Sequence, residues 1–499
     1  MTMKKALLAA TAMTAALVVA FPAAADRSKQ KQNCGDVCAE LDALKAQVED
    51  LRIGYGAQLN ELRGRLDSAP QWSYEFGRPT VRTPDGQFEL AIRFRTHMDF
   101  GTHFQDGVVN TNIAAGERDL ASGFNVRRFR LGLEGRVGRN WDYTAEFEFG
   151  GNNGVNGASA LESSRIGYTG FGNGIRIDLG VFKPLQGADQ NTSSNDLLML
   201  ERASVVNVMT EAFGGASQRQ AIQITWQREN LGYEGSNFIV ATGYTGERSG
   251  AGVNDGDERT HWTGRAVWRV FGENGTNADS THVQIGGSWG SIIDQGNSTA
   301  FRLRDRPENR LGDIRRIDTG SAFPGLAGPD ALDDSYFWSL EAGAQWHNLF
   351  LLAEYYDATV SRGTNADAEF NGWYVQGSWV VTGENRRYNT NNGTWSAPRP
   401  NSPFVLGATP GAWELAVRYS TIDLDHNAGV AGAATPGGTN PGIRGGEQST
   451  LSLGTNWYVS RNIRFMLNYQ MHDVERLNAA GGSLNEDFQA LILRSQLAW

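Results

Sequence analysis

From Phe88 to Trp499 the chain repeats one unit of roughly ten residues alternating apolar and polar, followed by a turn or a Gly/Asn/Asp-rich loop. A period of two puts successive side chains on opposite faces of a strand. About sixteen such units predict an all-β fold, a transmembrane antiparallel β-barrel with one face toward lipid and the other toward an aqueous lumen. The predicted strands are 87–100, 124–137, 141–150, 161–170, 174–182, 219–228, 236–245 and 260–271 in the first half. The second half supplies 281–290, 334–346, 348–360, 369–382, 412–422, 448–458, 461–473 and 487–499. Tight connections at 138–140, 171–173, 346–348 and 460–462 mostly alternate with long ones at 101–123, 183–218, 246–259, 291–333, 423–447 and 474–486, as periplasmic turns alternate with outer loops. The long Asn/Pro-rich segment 383–411 falls on the periplasmic side and breaks that alternation.

Parity then assigns faces. In the first strand Phe88, Leu90, Ile92 and Phe94 face lipid, leaving Glu89, Arg93, Arg95, His97 and Asp99 in the lumen. In the second, Phe129, Leu131, Leu133 and Val137 face out, against Arg128, Arg130, Glu134 and Arg136. The third opposes Trp141, Tyr143, Ala145, Phe147 and Phe149 to Asp142, Glu146 and Glu148. Arg265 and Arg269 share the polar face of the eighth strand, Arg418 that of the thirteenth and Arg464 that of the fifteenth. A charge on the lipid face at mid-bilayer costs about 2–4 kcal/mol, which forces this sorting.

Hydropathy fits the same architecture. The mean hydropathy is -0.41, and after the first 25 residues no apolar run reaches the length of about 18 that a membrane helix needs. The 61 glycines and 14 tryptophans suit tight turns and interfacial aromatic girdles. Lys4 and Lys5, the apolar stretch Ala6 to Phe21 and the small residues Ala23, Ala24 and Ala25 predict a signal peptide over 1–25. Export combined with a β-barrel pattern points to a Gram-negative outer membrane. Residues 26–70 differ in composition: Val37, Leu41, Leu44, Val48, Leu51 and Tyr55 alternate steps of four and three, and Leu59, Leu62 and Leu66 resume them after a stutter. This predicts a short periplasmic coiled coil, with a monomeric amphipathic helix as the other reading, and leaves 71–499 to the barrel. Cys34 and Cys38 stand at its start in an oxidising compartment, where a disulfide within or between subunits is expected. No further His or Cys lies near them, so no metal site is expected, nor any cofactor.

Charge gives the first functional indication. After the coiled-coil segment the chain contains a single lysine, Lys183, and otherwise only arginines as fixed cations. Arginine presents a planar fork of donors suited to oxyanions. The loop 291–333 carries Arg302, Arg304, Arg306, Arg310, Arg315 and Arg316 against Asp305, Glu308 and Asp313, a pattern that fits anion capture or lipopolysaccharide binding. A lumen arginine has a structural alternative too, an ion pair across strands such as Arg130 with Glu146. Within 183–218, Thr192 to Asp196 reads as a helix start ahead of the apolar cluster Leu197-Leu198-Met199-Leu200. Such a cluster folds inward and narrows the pore, or packs at a subunit contact. The seven histidines are scattered with no nucleophile motif, which argues against an enzyme, and no nucleic-acid partner is expected.

In an ordered set of landmarks the chain resembles the phosphate-selective porin family of the O and P type. They are Arg127-Arg128-Phe129-Arg130-Leu131-Gly132-Leu133-Glu134-Gly135, Trp141-Asp142-Tyr143, Gly180-Val181-Phe182-Lys183-Pro184, Thr192 to Arg202, Arg306-Pro307-Glu308, Asp318-Thr319-Gly320, Thr382-Gly383-Glu384 and Gly411 to Tyr419. The resemblance implies a sixteen-stranded barrel assembled as a homotrimer, with the third and fifth outer loops and the long periplasmic turn folded inward. It implies passage of small anions, phosphate or related oxyanions, past pore-lining Arg93, Arg95, Arg130, Arg265, Arg269 and Arg418 to a constriction at Arg127, Arg128 and Lys183. Two departures bear on selectivity. Pro184 replaces the family's acidic residue after the lysine motif, and outer-entrance lysines are absent. A general or sugar-type diffusion porin is the alternative.

Overall fold

The computed structural model describes residues 30–75, 77–105, 120–151, 160–216, 218–249, 257–273, 280–297, 300–320, 323–328, 330–429, 441–478 and 481–499. The predicted signal peptide lies outside them, as does the side chain of Cys34, and with it the predicted disulfide. The chain forms two compact units that divide between Ala69 and Pro70.

The first unit is one helix, α1 (Gln30–Ser68), over the predicted coiled-coil segment. Its apolar stripe Val37, Leu41, Leu44, Val48, Leu51, Leu59, Leu62 and Leu66 is exposed along its length. Short-range pairs such as Arg65 to Glu61 at 2.9 Å support the polar faces.

The second unit opens with a hairpin, β1 (Gln71–Glu75) and β2 (Arg78–Arg82), that the alternation does not announce. Its strands are short, and β2 also pairs with β3 from Thr80 to Arg82, leaving Pro79, which lacks a donor, outside that second ladder. Then come β3 (Phe88–Gln105), β4 (Gly123–Val137), β5 (Trp141–Glu148), β6 (Ala160–Tyr168) and β7 (Ile175–Phe182). The third outer loop carries α2 (Ala188–Asn191) and α3 (Ser204–Ala212), and is followed by β8 (Arg219–Glu229), β9 (Asn237–Arg248), β10 (Thr260–Glu273) and β11 (Thr281–Asp294). The fifth outer loop holds the two-residue strands β12 (Arg304–Asp305) and β13 (Ile317–Asp318), before β14 (Tyr336–Trp346), β15 (Leu349–Arg362) and β16 (Asn365–Val380). A second small hairpin, β17 (Arg387–Asn389) and β18 (Thr394–Ser396), precedes β19 (Ala412–His426), β20 (Ile443–Tyr458), β21 (Ile463–Glu475) and β22 (Glu486–Ala498). All sixteen predicted barrel strands are present. β22 closes on β3 from Phe488 opposite Gln105 to Ala498 opposite Arg95, and Phe94 and Trp499 exchange backbone hydrogen bonds of 3.2 and 3.1 Å at the seam.

The parity assignment holds where it was made. Phe129, Leu131 and Leu133 are exposed on the hull, whereas Arg95, His97, Asp99, Arg128, Glu146 and Glu148 are buried inside. Leu131→Arg should therefore cost about 2–4 kcal/mol, lowering the temperature at which the folded band is lost in a heat-modified gel.

The lumen is not polar all round. Against β14, β15, β16 and β19 it is filled by an apolar plug in which Val205, Val206, Met209 and Phe213 of the third loop and Phe301, Ile317 and Phe323 of the fifth meet Phe337, Tyr356 and Phe370 of the wall. Phe213 lies 5.5 Å from Phe337 and Phe301 lies 5.2 Å from Phe323, between ring centroids. Leu197, Leu198, Met199 and Leu200 are buried as well, so the cluster folds inward. It is not headed by a helix at Thr192–Asp196 as the sequence suggested. The helices lie on either side, because the side chains that would cap such a start are drawn to the barrel wall: the Ser194 hydroxyl accepts from Arg95 at 2.5 Å and Asn195 meets His97 at 3.1 Å.

The long periplasmic turn also folds inward. Trp395 of β18 is buried against Phe350, with ring centroids 5.3 Å apart, and Gly393 accepts from Arg265 at 2.9 Å and Gln284 at 3.0 Å. Gly393 has φ +60, and a Cβ there would stand 3.0 Å from Val267, so both turn and contact call for glycine.

Candidate functional site

Inward folding of two outer loops leaves a cavity of about 550 Å³ between β4, β8, β9, α3 and the fifth loop. β4 contributes Arg127, Arg128 and Arg130, the third loop Arg202, and the barrel wall Arg219, Arg248 and Arg259. The fifth loop adds Arg302, Arg304, Arg306, Arg310 and Arg315. Among the described residues, only Glu211, Glu247 and Asp305 oppose them on the lining. The fifth loop thus places five of its six predicted arginines on this cavity. The sixth, Arg316, is buried and pairs with Glu486 at 2.8 Å.

Most of these guanidinium groups are held from behind. Arg127 makes a two-pronged contact with Glu201 at 2.8 and 3.0 Å, and Arg128 lies 3.6 Å from the same carboxylate. Arg494 reaches Glu201 at 2.7 Å and Asp99 at 2.6 Å. Arg130 meets Glu148 at 2.5 Å and Glu162 at 2.6 Å, with Glu146, the partner considered from sequence, at 3.6 Å. Arg302 pairs with Asp318 at 2.6 Å and Arg310 with Asp305 at 2.9 Å. Two others lack such a carboxylate. Arg202 donates to the Asp189 and Thr192 carbonyls at 2.8 and 2.6 Å, and Arg304 is exposed to the cavity with no ion pair among the described residues.

Lys183 stands one residue behind this lining, its ammonium donating to the carbonyl of Gln190, which does line the cavity. Arg95 is not on the lining and donates to the Ser194 hydroxyl at 2.5 Å. Arg93 is engaged by Glu134 at 3.0 Å and Glu146 at 3.5 Å. The remaining expected pore-lining residues lie under loops. Arg265 is buried on Glu341 at 2.7 Å beneath the β17–β18 hairpin, Arg269 stacks 4.9 Å from the Tyr388 ring of that hairpin, and Arg418 is buried against Glu308.

Three buried carboxylates outside the predicted set fix this arrangement. Glu354 of β15 accepts from the backbone nitrogens of Ala188 and Asp189 at 2.7 and 3.1 Å, which occupies the donors at the start of α2. Glu308 accepts from the Ser204 nitrogen at 2.9 Å, the Ser420 hydroxyl at 2.6 Å and Arg418. Glu414 takes Arg386 of the periplasmic turn at 2.8 Å. Alternation identifies Glu354 and Glu414 only as lumen-facing, and it assigns no face to Glu308, which lies in the fifth loop. Their partners are loops distant in sequence.

A closed sixteen-stranded barrel narrowed by inward loops is the architecture of an outer-membrane diffusion channel. The chain belongs to the phosphate-selective porin O and P family, whose profile matches residues 91–499, and is a porin of the Gram-negative outer membrane. It is 24% identical to Porin O of Pseudomonas aeruginosa over 434 residues, covering 83% of this chain and 90% of that protein. It is likewise 24% identical to an uncharacterized protein of Caulobacter vibrioides over 504 residues, 90% of each. Among solved structures, the anion-selective porin from Comamonas acidovorans is 14% identical, with 83% of this chain and 100% of that one covered and a TM-score of 0.46.

Proposed function

We propose that this porin passes small inorganic oxyanions, phosphate foremost, by passive diffusion through the arginine-lined outer cavity. The excess of guanidinium over carboxylate on that cavity carries the reading. A charged cleft with low-dielectric walls focuses its field and concentrates the counter-ion. Arg202 and Arg304, with donors not committed to a carboxylate, then replace part of the ion's hydration shell, weakly enough for release. The net charge of -10 is summed over the whole chain, whereas selectivity follows the charges at the narrowest point. Passage needs no chemical step. The exposed apolar stripe of α1 supports self-association of that helix, in keeping with a homotrimer.

A general diffusion porin is the second reading, favoured by the many arginines already neutralised from behind. Chloride conductance with added phosphate separates the two. Micromolar phosphate should reduce the current if an oxyanion site exists, and leave it unchanged in a general pore. Arg128→Ala with Lys183→Ala should weaken that block by roughly tenfold or more, the equivalent of about 1.4 kcal/mol, if the predicted constriction residues act on the ion.

A further inference from the structure

The long periplasmic turn has two halves. The first, with β17 and β18, is packed into the pore, whereas 401–410 returns to β19 on the outside of the barrel. No charged residue lies between Arg399 and Glu414, and Pro403-Phe404-Val405-Leu406 is apolar throughout. Phe404 meets Trp457 edge to face, with ring centroids 5.0 Å apart, and Trp457 stands between Trp413 at 5.4 Å and Phe465 at 5.7 Å. Those three are cross-strand neighbours on the outward face of β19, β20 and β21 at their periplasmic ends, where a barrel carries its aromatic girdle.

We propose that the tip of this turn, Val405 and Leu406, inserts into the inner leaflet of the outer membrane, with phospholipid acyl chains as its partner.

Leu406 is 87% exposed, more than any other large apolar side chain among the described residues, and Val405 is 55% exposed. The tip that presents them is a built turn. The Val405 nitrogen donates to the Thr409 carbonyl at 3.0 Å, and the Val405 carbonyl accepts from the Ala408 and Thr409 nitrogens at 2.9 and 3.0 Å. Gly407 supplies the φ of +75 that the turn requires, and the Thr409 hydroxyl donates to the Pro403 carbonyl. Its base is fixed to the wall: the Phe404 nitrogen donates to the Val459 carbonyl at 2.7 Å, and the Trp457 indole to the Pro410 carbonyl at 2.9 Å. A turn held in this way keeps two branched apolar side chains off the protein, and in water their burial is forfeited. Lipid removes that cost. The patch is continuous with the lipid-facing girdle, whose tryptophans mark the headgroup level at which a small apolar element lodges. A second copy of the chain fits less well, because a stable protein contact needs about 800 Å² from each partner, far more than two side chains provide.

Nitroxide labels test the assignment in the full chain, reconstituted in phosphatidylethanolamine–phosphatidylglycerol vesicles with Cys34→Ser and Cys38→Ser so that each label is unique. Leu406→Cys carries the probe, Leu415→Cys marks the lipid-facing hull, and Asp50→Cys marks the polar face of α1 in water. Oxygen partitions into lipid and a nickel chelate stays in water. The ratio of their collision rates should be roughly threefold or more higher at 406 than at 50, and close to that at 415. A ratio at 406 equal to that at 50 would overturn the proposal. So would exclusion of both reagents from 406 or dipolar broadening between labels, either of which would place another chain over the tip. Position 406 is exposed, so the label leaves the barrel intact, and Val405→Cys provides a second reading that must give the same order.

Discussion

Glu308→Ala should open the channel: single-channel conductance rises severalfold, and the folded state loses roughly 3–5 kcal/mol where Arg418 is left buried without its carboxylate. Glu308 is fully buried and joins three parts of the molecule, the start of α3 through Ser204, the fifth loop that carries it, and the barrel wall through Ser420 and Arg418. Removing it frees both loops at once. Adding Arg418→Ala should recover part of the stability, since no charge is then stranded, but should not restore the narrow conductance, because Ser204 and Ser420 still lack their acceptor. A single variant with wild-type conductance would show that the apolar plug alone holds the loops.

Glu201→Gln should act in the opposite direction on the ion. Glu201 occupies donors of Arg127 and Arg494 and lies close to Arg128, so it competes with any incoming oxyanion for those groups. At an effective dielectric constant near 20, a unit charge 4 Å away is worth about 4 kcal/mol. Even a third of that would tighten phosphate block about tenfold. Titration of the chloride current with phosphate reads this directly. An unchanged block constant would mean that the ion binds away from Glu201.

The barrel was legible because its alternation has one physical cause, lipid outside and water or packed loops inside. The loop plug was legible only in part. β15 gives the clearest signal, since Phe350, Leu352 and Tyr356 are apolar on the lumen face as Leu349, Leu351 and Tyr355 are on the hull. A strand apolar on both faces is buried on both, and here the third and fifth loops cover the inner one. The β17–β18 hairpin had a local cue in Asn392-Gly393 between Tyr388 and Trp395. The division of arginines between cavity and structural pairs had none. Arg128, Arg265 and Arg418 all face the lumen from their strands, yet Arg265 meets Glu341 of the neighbouring strand β14, Arg418 meets Glu308 of the fifth loop, and Arg128 reaches the cavity beside Glu201 of the third loop.

Anion preference in a chain that is acidic overall has to come from the charge balance of the outer cavity. The reversal potential across a bilayer holding the full chain, under a tenfold potassium chloride gradient, tests it most directly. An anion-selective pore gives a potential of the sign set by chloride. A potential of the opposite sign, set by potassium, would contradict it.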